Sequence, residues 1–268
     1  MADIEFEKRD GIAFITFNRP EAKNTLTAES FVLLSQAWDE FSADGDLRVA
    51  ILTGVGDESF CAGGDLKSFI PLVTRAREPE TDLEREFLET RDYSEQLVQK
   101  LRPVYKPVLA AVNGFALGGG MELLQCTDIR IAASHAEFGL PEPSRGIVPG
   151  AGSMVRLPRQ LPWAWAMEVL LTARRFSAEE AYRMGIVNRV VEREQLMDVT
   201  MEYAERIAAN APLALEAIKN TALRTANLPW DEAFAIEAEN SGRVMQSKDA
   251  IEGPRAFAEK RKPRFTGS

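Results

Sequence analysis

The chain has 268 residues, of which 45% are hydrophobic and 27% charged, and its net charge is −9. These values are ordinary for a globular protein that can bury a core. The negative charge argues weakly against a nucleic-acid partner, which needs a basic surface. The two cysteines, Cys61 and Cys126, are far apart and form no disulfide framework, so a reducing cytoplasm is expected. With these cysteines and a single histidine, His135, no closed metal site is expected.

Strands and helices alternate along most of the chain. The start, MADIEFEKRD, lacks the basic and apolar regions of a signal peptide, so no secretory segment is expected. The hydrophobic pattern and the turn residues predict a hairpin around 9–11, a helix over 27–41 with Thr27 as N-cap, and a buried strand over 49–54. They then predict a turn and helix beginning at 63–69, a helix over 81–101, a strand over 107–114, a helix over 118–125 and a strand over 129–134. A helix over 177–184, a strand over 188–191 and helices over 194–258 follow.

This order predicts an α/β core followed by an α-helical region, which we place at residues 1–195 and 196–268. The apolar run 108–126 is nearly long enough for a membrane helix. It contains Asn113, Glu122 and four glycines, so we interpret it as buried core and expect no membrane association.

Two glycine-rich stretches each follow a predicted buried strand. The first is 60–67 (FCAGGDLK) and the second is 118–122 (GGGME). Each can present a free backbone N–H at or near the start of a helix, where partial positive charge favours an oxyanion. Two such N–H groups directed at one oxygen would form an oxyanion hole. The spacing matches neither a Walker loop nor a dinucleotide fingerprint, and glycine near a helix start is often only a turn.

Two carboxylates accompany these glycines. Glu122 lies about one turn into the helix after the second glycine stretch, and its apolar neighbours predict burial, which raises a carboxyl pKa or demands a partner. Glu142 lies between Pro141 and Pro143 and would, in isolation, be interpreted as a solvated loop acid. Held near one apolar pocket, two carboxylates can divide acid and base work on a carbonyl compound.

Together these stretches resemble the crotonase superfamily, and enoyl-CoA hydratases in particular. The resemblance covers nearly the whole chain and is carried by Asn18-Arg19-Pro20 with Lys23-Asn24, 61–67, 113–122, 138–142, 146–152 and 256–261. It implies a spiral of ββα turns with a C-terminal α-helical region that builds trimers, often paired into hexamers.

The resemblance also implies roles for particular residues. The oxyanion-hole amides would be those of Gly64 and Gly119, with Glu122 as base toward water and Glu142 as the acid that protonates C2; in dehydration the roles reverse. Coenzyme A, present as part of the thioester substrate and not as a prosthetic group, would contact a further set of residues. These are Lys23, Ala62, Asp65, Leu66 and Lys67, with Phe257 and Lys260 reaching it from a neighbouring subunit.

The sequence leaves several functions open. A polar Ser144-Arg145 follows Glu142, where hydratases acting on fatty acids tend to be apolar, and 146–162 resembles carnitinyl-CoA dehydratases. A substrate carboxylate paired with one of three arginines in 69–89 is a further possibility, although surface charges are the simpler interpretation; the three are Arg75, Arg77 and Arg85. An enoyl-CoA isomerase, an RNA-binding relative of the hydratases, and a catalytically silent CoA-binding or structural trimer are the remaining alternatives.

Overall fold

The computed structural model describes residues 2–90, 92–100 and 102–268. Its strands are, in chain order, β1 (Ile4–Arg9), β2 (Ile12–Phe17), β3 (Val49–Gly54), β4 (Ser59–Cys61), β5 (Val108–Val112), β6 (Phe115–Leu117), β7 (Ile129–Ala133), β8 (Glu137–Gly139), β9 (Arg175–Ser177) and β10 (Arg189–Val191). They form a six-stranded sheet of order β1-β2-β3-β5-β7-β10 and a four-stranded sheet of order β4-β6-β8-β9. Neighbours are parallel except for the antiparallel pairs β1/β2 and β8/β9.

The helices alternate with these strands and then take over. They are α1 (Ala28–Ala43), α2 (Phe69–Val73), α3 (Asp82–Glu89), α4 (Asp92–Leu97), α5 (Gly119–Leu124), α6 (Ser153–Gln160), α7 (Trp163–Thr172), α8 (Ala178–Met184), α9 (Leu196–Ala208), α10 (Pro212–Thr225), α11 (Trp230–Met245) and α12 (Lys248–Ala258). None of the helices in the described ranges is both long and apolar enough to cross a membrane.

The strand pairing makes a spiral. From β3 onward the chain places one strand in the large sheet and the next in the small sheet, first β3 and β4, then β5 and β6, then β7 and β8. Helices follow the first two of these pairs, α2 to α4 after β4 and α5 after β6. The expected spiral of ββα turns is therefore confirmed. Because β4 and β6 pair in parallel, the loops that leave them lie side by side.

Local sequence explains where several helices begin and end. The Thr27 hydroxyl accepts from the Ser30 N–H to cap α1, and Ser177 with Glu180 forms the predicted capping box of α8. The single helix predicted over 81–101 is wrong, since α3 ends at Glu89, the ψ of 85° at the following Thr90 is not helical, and α4 is a separate helix. Residues 91 and 101 of that prediction lie outside the described residues.

The large sheet is buried on both faces, as its continuous apolar runs predict. One face packs against α1 and α5 in the main core, where Phe17 and Phe41 are fully buried. The other face packs against α9, which places Leu196 and Ala204 over β3, β5 and β7. The division predicted between residues 195 and 196 remains a prediction.

The last three helices are mostly exposed. Among the residues described there, helix α10 contains no buried residue, and Asn240 is the one buried residue of α11. Large apolar side chains face outward, with Trp230 80% and Met245 71% exposed. Exposure of this kind is typical of a surface that another molecule covers.

Candidate active site

The two predicted glycine loops contact each other at the ends of β4 and β6. Gly63 adopts φ +91°, in the left-handed region that glycine favours. A Cβ atom added to Gly63 would lie 2.9 Å from the Leu117 carbonyl oxygen and 3.0 Å from the Gly119 nitrogen. One added to Gly119 would lie 3.7 Å from the Gly64 nitrogen. The backbone carrying the two predicted oxyanion-hole amides is therefore packed so closely that only glycine fits at residue 63.

Both amides are left free by their surroundings. Leu26 bridges the first loop, donating its N–H to the Gly63 carbonyl at 2.9 Å and accepting the Asp65 N–H at 2.9 Å, which bypasses Gly64. Gly119 is the first residue of α5, where a helix leaves its N–H groups unpaired. Across residues 2–90, 92–100 and 102–268, neither the Gly64 nor the Gly119 N–H donates a hydrogen bond. Two unpaired amides on loops in contact are what an oxyanion hole requires.

Helix α5 places Glu122 beside these loops. Close packing fixes the start of the helix, since a Cβ atom on Gly120 would lie 2.0 Å from the Cys61 carbonyl oxygen. Glu122 is buried, as its apolar neighbours predicted, and its Oε1 accepts the Ser153 N–H at 3.2 Å. The pKa of Glu122 is raised to about 7, mainly by burial and also by the Glu142 charge, while hydrogen bonds from Ser153 and the Ala151 amide act in the opposite direction.

Glu142 opens a short 3₁₀ turn, Glu142–Arg145, directly after Pro141. It is buried, unlike the solvated loop acid expected for this residue in isolation. Its Oε1 lies 3.0 Å from the point where a Cβ atom on Gly118 would be, and its buried Oε2 has no hydrogen-bond partner among the described residues. Burial raises the pKa of Glu142, and the Arg145 charge lowers it.

A cavity of about 260 Å³ opens onto the glycine loops. It is lined by Lys23, Thr25, Ala62, Gly63, Gly64, Leu66, Ile70, Phe115, Leu117, Gly118, Gly119, Glu142, Arg145, Ile147 and Arg175. A second cavity, of about 510 Å³, lies on the other side of Phe69, which contacts the position of a Cβ atom on Gly64 at 3.1 Å. It is lined by Phe31, Phe69, Val73, Arg75, Phe87, Leu88, Glu95, Lys100, Gly150 and Ala151.

Comparison with known proteins identifies the family of this chain. The family model described as enoyl-CoA hydratase/isomerase matches residues 7–268. The chain belongs to the enoyl-CoA hydratase/isomerase family. Members of this family are enzymes of the crotonase superfamily, so the predicted superfamily and the prediction of an enzyme of this kind are confirmed.

Relatives of known name cover almost the entire chain. An enoyl-CoA hydratase of Mycobacterium tuberculosis, EchA19, is 42% identical over 98% of this chain and 96% of its own length. An (E)-benzylidenesuccinyl-CoA hydratase of Thauera aromatica is 38% identical over 99% of both chains. A carnitinyl-CoA dehydratase of Proteus mirabilis is 40% identical over 98% of both.

Solved structures agree with the fold. The structure of an enoyl-CoA hydratase/isomerase from Mycobacterium abscessus superposes with a TM-score of 0.87 at 41% identity, covering 99% of this chain and 100% of that one. The enoyl-CoA hydratase EchA1 of Mycobacterium marinum gives 0.87 at 40% identity, with both chains fully covered. The predicted fold class is confirmed by both.

The residues predicted for this family's site fall into three groups in the structure. Six line the smaller cavity directly: Lys23, Ala62, Gly64, Leu66, Gly119 and Glu142. Glu122 does not line it; its carboxylate is instead bound by Ser153, the first residue of α6, and by the Ala151 amide. Lys67 is exposed beside the cavity, and Phe257 and Lys260 are exposed at the end of α12, away from it.

Asp65 is occupied by its own loop. Its Oδ1 accepts the N–H groups of Lys67 at 2.8 Å and Ser68 at 3.0 Å, and its Oδ2 accepts from Arg19 at 3.2 Å. Burial alone raises the pKa of Asp65, but these bonds outweigh it and the pKa is lowered. The side chain therefore shapes the loop that presents the Gly64 amide, and delays the start of the helix predicted there until Phe69.

Several groups in the site were missed by sequence reasoning. Ser153, 31 residues from Glu122, binds its carboxylate, and Gln125 binds Ser153; the glycine-rich stretch before Ser153 was the only available signal. Arg175 lines the smaller cavity because β9 pairs with β8, and no motif marks it.

The remaining candidate residues take structural positions. Arg77 pairs with Glu84 and donates to the Ser68 carbonyl, and Arg85 pairs with Asp82 at 3.2 Å; of the three arginines, Arg75 lines the larger cavity. Burial raises the pKa of the Cys61 thiol to about 12, which leaves it unreactive. Within the described part of the chain, no group of three or more His, Cys, Asp or Glu side chains could hold a metal ion.

Proposed function

We propose that the protein catalyses the reversible addition of water to the 2,3 double bond of a 2-enoyl-CoA thioester. The observation that carries this proposal is the pair of buried carboxyl groups, Glu122 and Glu142, beside the free N–H groups of Gly64 and Gly119. An enolate needs the N–H pair, and hydration needs one group to take a proton and another to give one.

The steps follow from these positions. The thioester oxygen accepts hydrogen bonds from the Gly64 and Gly119 amides, which stabilise the negative charge that develops on it. Ionised Glu122 takes a proton from water as the water oxygen bonds to C3. The electron pair of the double bond passes to the enolate, and protonated Glu142 gives its proton to C2. In dehydration the same groups act in reverse, with Glu142 as base and Glu122 as acid.

The cationic groups around the smaller cavity support a CoA thioester. Lys23 lines this cavity and pairs with Glu58 at 2.5 Å, and Arg175 lines it and pairs with Glu137 at 3.3 Å. Phosphate oxygens of CoA can take the place of either carboxylate. Arg145 lines it as well and makes no ion pair among the described residues. We infer that CoA lies along Lys23, Ala62, Leu66 and Lys67, with Asp65 acting through its loop.

The exposed C-terminal helices support assembly with further copies. Trp230, Met245 and the 87% exposed Phe257 belong to this region. We infer a trimer, or a hexamer made of two trimers, in which Phe257 and Lys260 of one copy reach the CoA of another. The helices from 196 onward would then serve as the oligomerisation region, and the two distant, unpaired cysteines support a cytoplasmic location.

The larger cavity supports an apolar acyl group. Phe69 and Ala151 line it, and these residues are next to the Gly64 loop and the Glu122 carboxylate respectively. Three of its rings pack on one another: Phe31 and Phe69 stack with centroids 4.5 Å apart, and Phe87 meets both edge-on. Arg75 and Lys100 outnumber Glu95 at this cavity and so disfavour a cationic acyl group, which makes a carnitinyl-CoA dehydratase-like activity the second candidate.

Loss of the conjugated enoyl-thioester absorbance with crotonyl-CoA tests the proposal. We expect rapid loss in the wild type, and a rate lowered by about 10³-fold or more in Glu122→Gln and Glu142→Gln. Glu192→Gln, an exposed carboxylate, is the matched control and should keep the wild-type rate. A wild-type-like rate in Glu122→Gln would overturn the mechanism.

The same variants separate the rival functions. An enoyl-CoA isomerase can work with Glu142 alone, so full isomerase activity in Glu122→Gln without hydration would favour it. Turnover of crotonobetainyl-CoA but not crotonyl-CoA would favour the carnitinyl alternative. Tight, salt-dependent binding of AU-rich RNA would favour the RNA-binding alternative, which the net charge of −9 opposes.

A further inference from the structure

Two buried polar side chains behind Glu122 take no part in the proposed proton transfers. Ser153, fully buried at the start of α6, and Gln125, 3% exposed at the end of α5, contact each other. The Gln125 Nε2 donates to the Ser153 Oγ at 2.7 Å and to the Met121 carbonyl at 3.0 Å. Burying such a pair is unfavourable unless its hydrogen bonds are satisfied.

The directions of these bonds are fixed by the groups involved. The Met121 carbonyl only accepts, so the amide of Gln125 must turn its nitrogen, and not its oxygen, toward Met121 and Ser153. The Ser153 Oγ therefore accepts from Gln125 and retains its own proton to donate. The Glu122 Oε1 accepts the Ser153 N–H at 3.2 Å, and the neighbouring Ser153 hydroxyl lowers the pKa of the same carboxyl group as a donor.

We propose that Gln125 and Ser153 form a directional hydrogen-bond relay that favours the ionised form of the Glu122 carboxylate and fixes its orientation. The relay runs from the Gln125 amide through the Ser153 hydroxyl to Glu122, and both members are positioning residues. This inference rests on the proposed function, in which ionised Glu122 is the base toward water. The Gln125 Oε1 is buried without a hydrogen-bond partner among the described residues, so the side chain makes its hydrogen bonds only through its donor end.

Other charged and titratable groups face this region and must be considered in any pH measurement. Glu142 faces Glu122 from its 3₁₀ turn and raises the pKa of Glu122. The Cys126 thiol, just beyond the helix that carries Glu122, donates to the Glu122 main-chain carbonyl at 3.5 Å. Arg156 of α6 and Arg130 of β7 lie near Cys126, and Arg156 donates to the Val98 carbonyl at 2.5 Å.

The test compares kcat/KM for hydration of crotonyl-CoA between pH 6 and 9 in Ser153→Ala, Gln125→Met and the wild type. Loss of a donor to the carboxylate raises the pKa of Glu122, so less of the base is ionised at low pH. The ratio of Ser153→Ala to wild type should therefore fall by about three- to tenfold between pH 9 and pH 6. The corresponding ratio for Gln125→Met, whose side chain has a similar shape, should fall by about twofold over the same pH interval.

The control is Thr200→Val, which removes a fully buried hydroxyl on the other side of the large sheet and should give a ratio independent of pH. A ratio for Ser153→Ala that is likewise independent of pH would overturn the relay. The infrared band of the protonated Glu122 carboxyl, identified by its absence in Glu122→Gln, gives the pKa of Glu122 without activity. If Glu122→Gln kept full hydration, the proposed function would fall, and this band would still decide whether the relay lowers the pKa.

Discussion

Glu122 and Glu142 face each other from regions that hold a carboxyl group in opposite ways. Glu122 lies inside a helix, and its oxygens receive the Ser153 N–H and hydroxyl and the Ala151 amide. Glu142 lies in a short turn beside the cavity, with one buried oxygen that has no partner among the described residues. Burial raises the pKa of both.

The difference matches what each group must do in the proposed reaction. Donors around a carboxyl group favour its ionised form, which a base needs. A buried carboxyl group with few donors favours its protonated form, which an acid needs, and within the described part of the chain Glu142 receives only its own main-chain N–H. The protein therefore offers the two side chains different numbers of hydrogen bonds, while burial raises the pKa of both, that of Glu122 to about 7.

The largest expected effect comes from removing both groups at once. Each single Gln variant should lose about 10³-fold or more in kcat, because each proton transfer needs its own partner. The double variant Glu122→Gln/Glu142→Gln should lose less than about tenfold beyond either single variant, since the two groups act as a unit. If the loss of single-turnover rate in the double variant equalled the product of the losses in the two single variants, the proposed acid and base roles of the two groups in one reaction would be contradicted.

In the proposed reaction the two carboxyl groups share one oxyanion hole, and Gly63→Ala should damage it. The added Cβ atom would press on Leu117 and the Gly119 nitrogen and separate the two loops. We expect kcat to fall by about 10²-fold, the scale of one lost oxyanion donor. Gly185→Ala is the matched control, because Gly185 has a similar φ of +84° but open space around it. Equal losses of kcat in both variants would assign the effect to backbone strain alone.

Much of this site could be predicted from the sequence. Glycines after buried strands marked the Gly64 and Gly119 loops, and the apolar neighbours of Glu122 predicted its burial. That the loops touch depends on the parallel pairing of β4 with β6, which the sequence did not predict; only the family resemblance implied that the two amides act on one oxygen. Local pattern cannot give pairing between segments about 55 residues apart, and for the same reason it marked Ser153 only by the glycine-rich stretch before it.

Stability against pH should also separate the two carboxyl groups. The pKa of Glu122 is about 7 in the folded protein against 4.5 unfolded, so the folded state holds this proton longer. Its contribution to stability is complete below pH 4.5 and is lost as pH rises to about 7, a change of roughly 3 kcal/mol. Chemical denaturation should show Glu122→Gln gaining stability relative to wild type over that interval. The stability of Glu142→Gln relative to wild type should change with pH in the same direction. If the difference in stability between Glu122→Gln and wild type did not depend on pH, the carboxyl group of Glu122 would not be desolvated.

The Glu122 side also borders the proposed acyl pocket, so the acyl group should be sensitive to Phe69. Phe69→Leu keeps an apolar side chain but removes stacking on Phe31. With a 3-phenylprop-2-enoyl-CoA substrate, kcat/KM should fall by about fivefold, whereas crotonyl-CoA should be almost unaffected. Leu88→Ala, at the exposed edge of the same cavity, is the control for general loosening. Equal losses with both substrates would move the acyl group elsewhere.

The smallest effect is expected on the Glu142 side, from Arg145→Gln. Arg145 lowers the pKa of Glu142, so its removal raises that pKa and keeps the proton on Glu142 to higher pH. Because Glu142 must be protonated to act, the ratio of variant to wild-type kcat should rise with pH, by about two- to threefold at pH 9, and be constant at low pH. Arg175→Gln removes a charge from the same cavity, but that charge is already paired with Glu137, so its ratio should not depend on pH. A ratio that falls with pH for Arg145→Gln would mean that Glu142 acts ionised in hydration, and would exchange the roles of the two carboxyl groups.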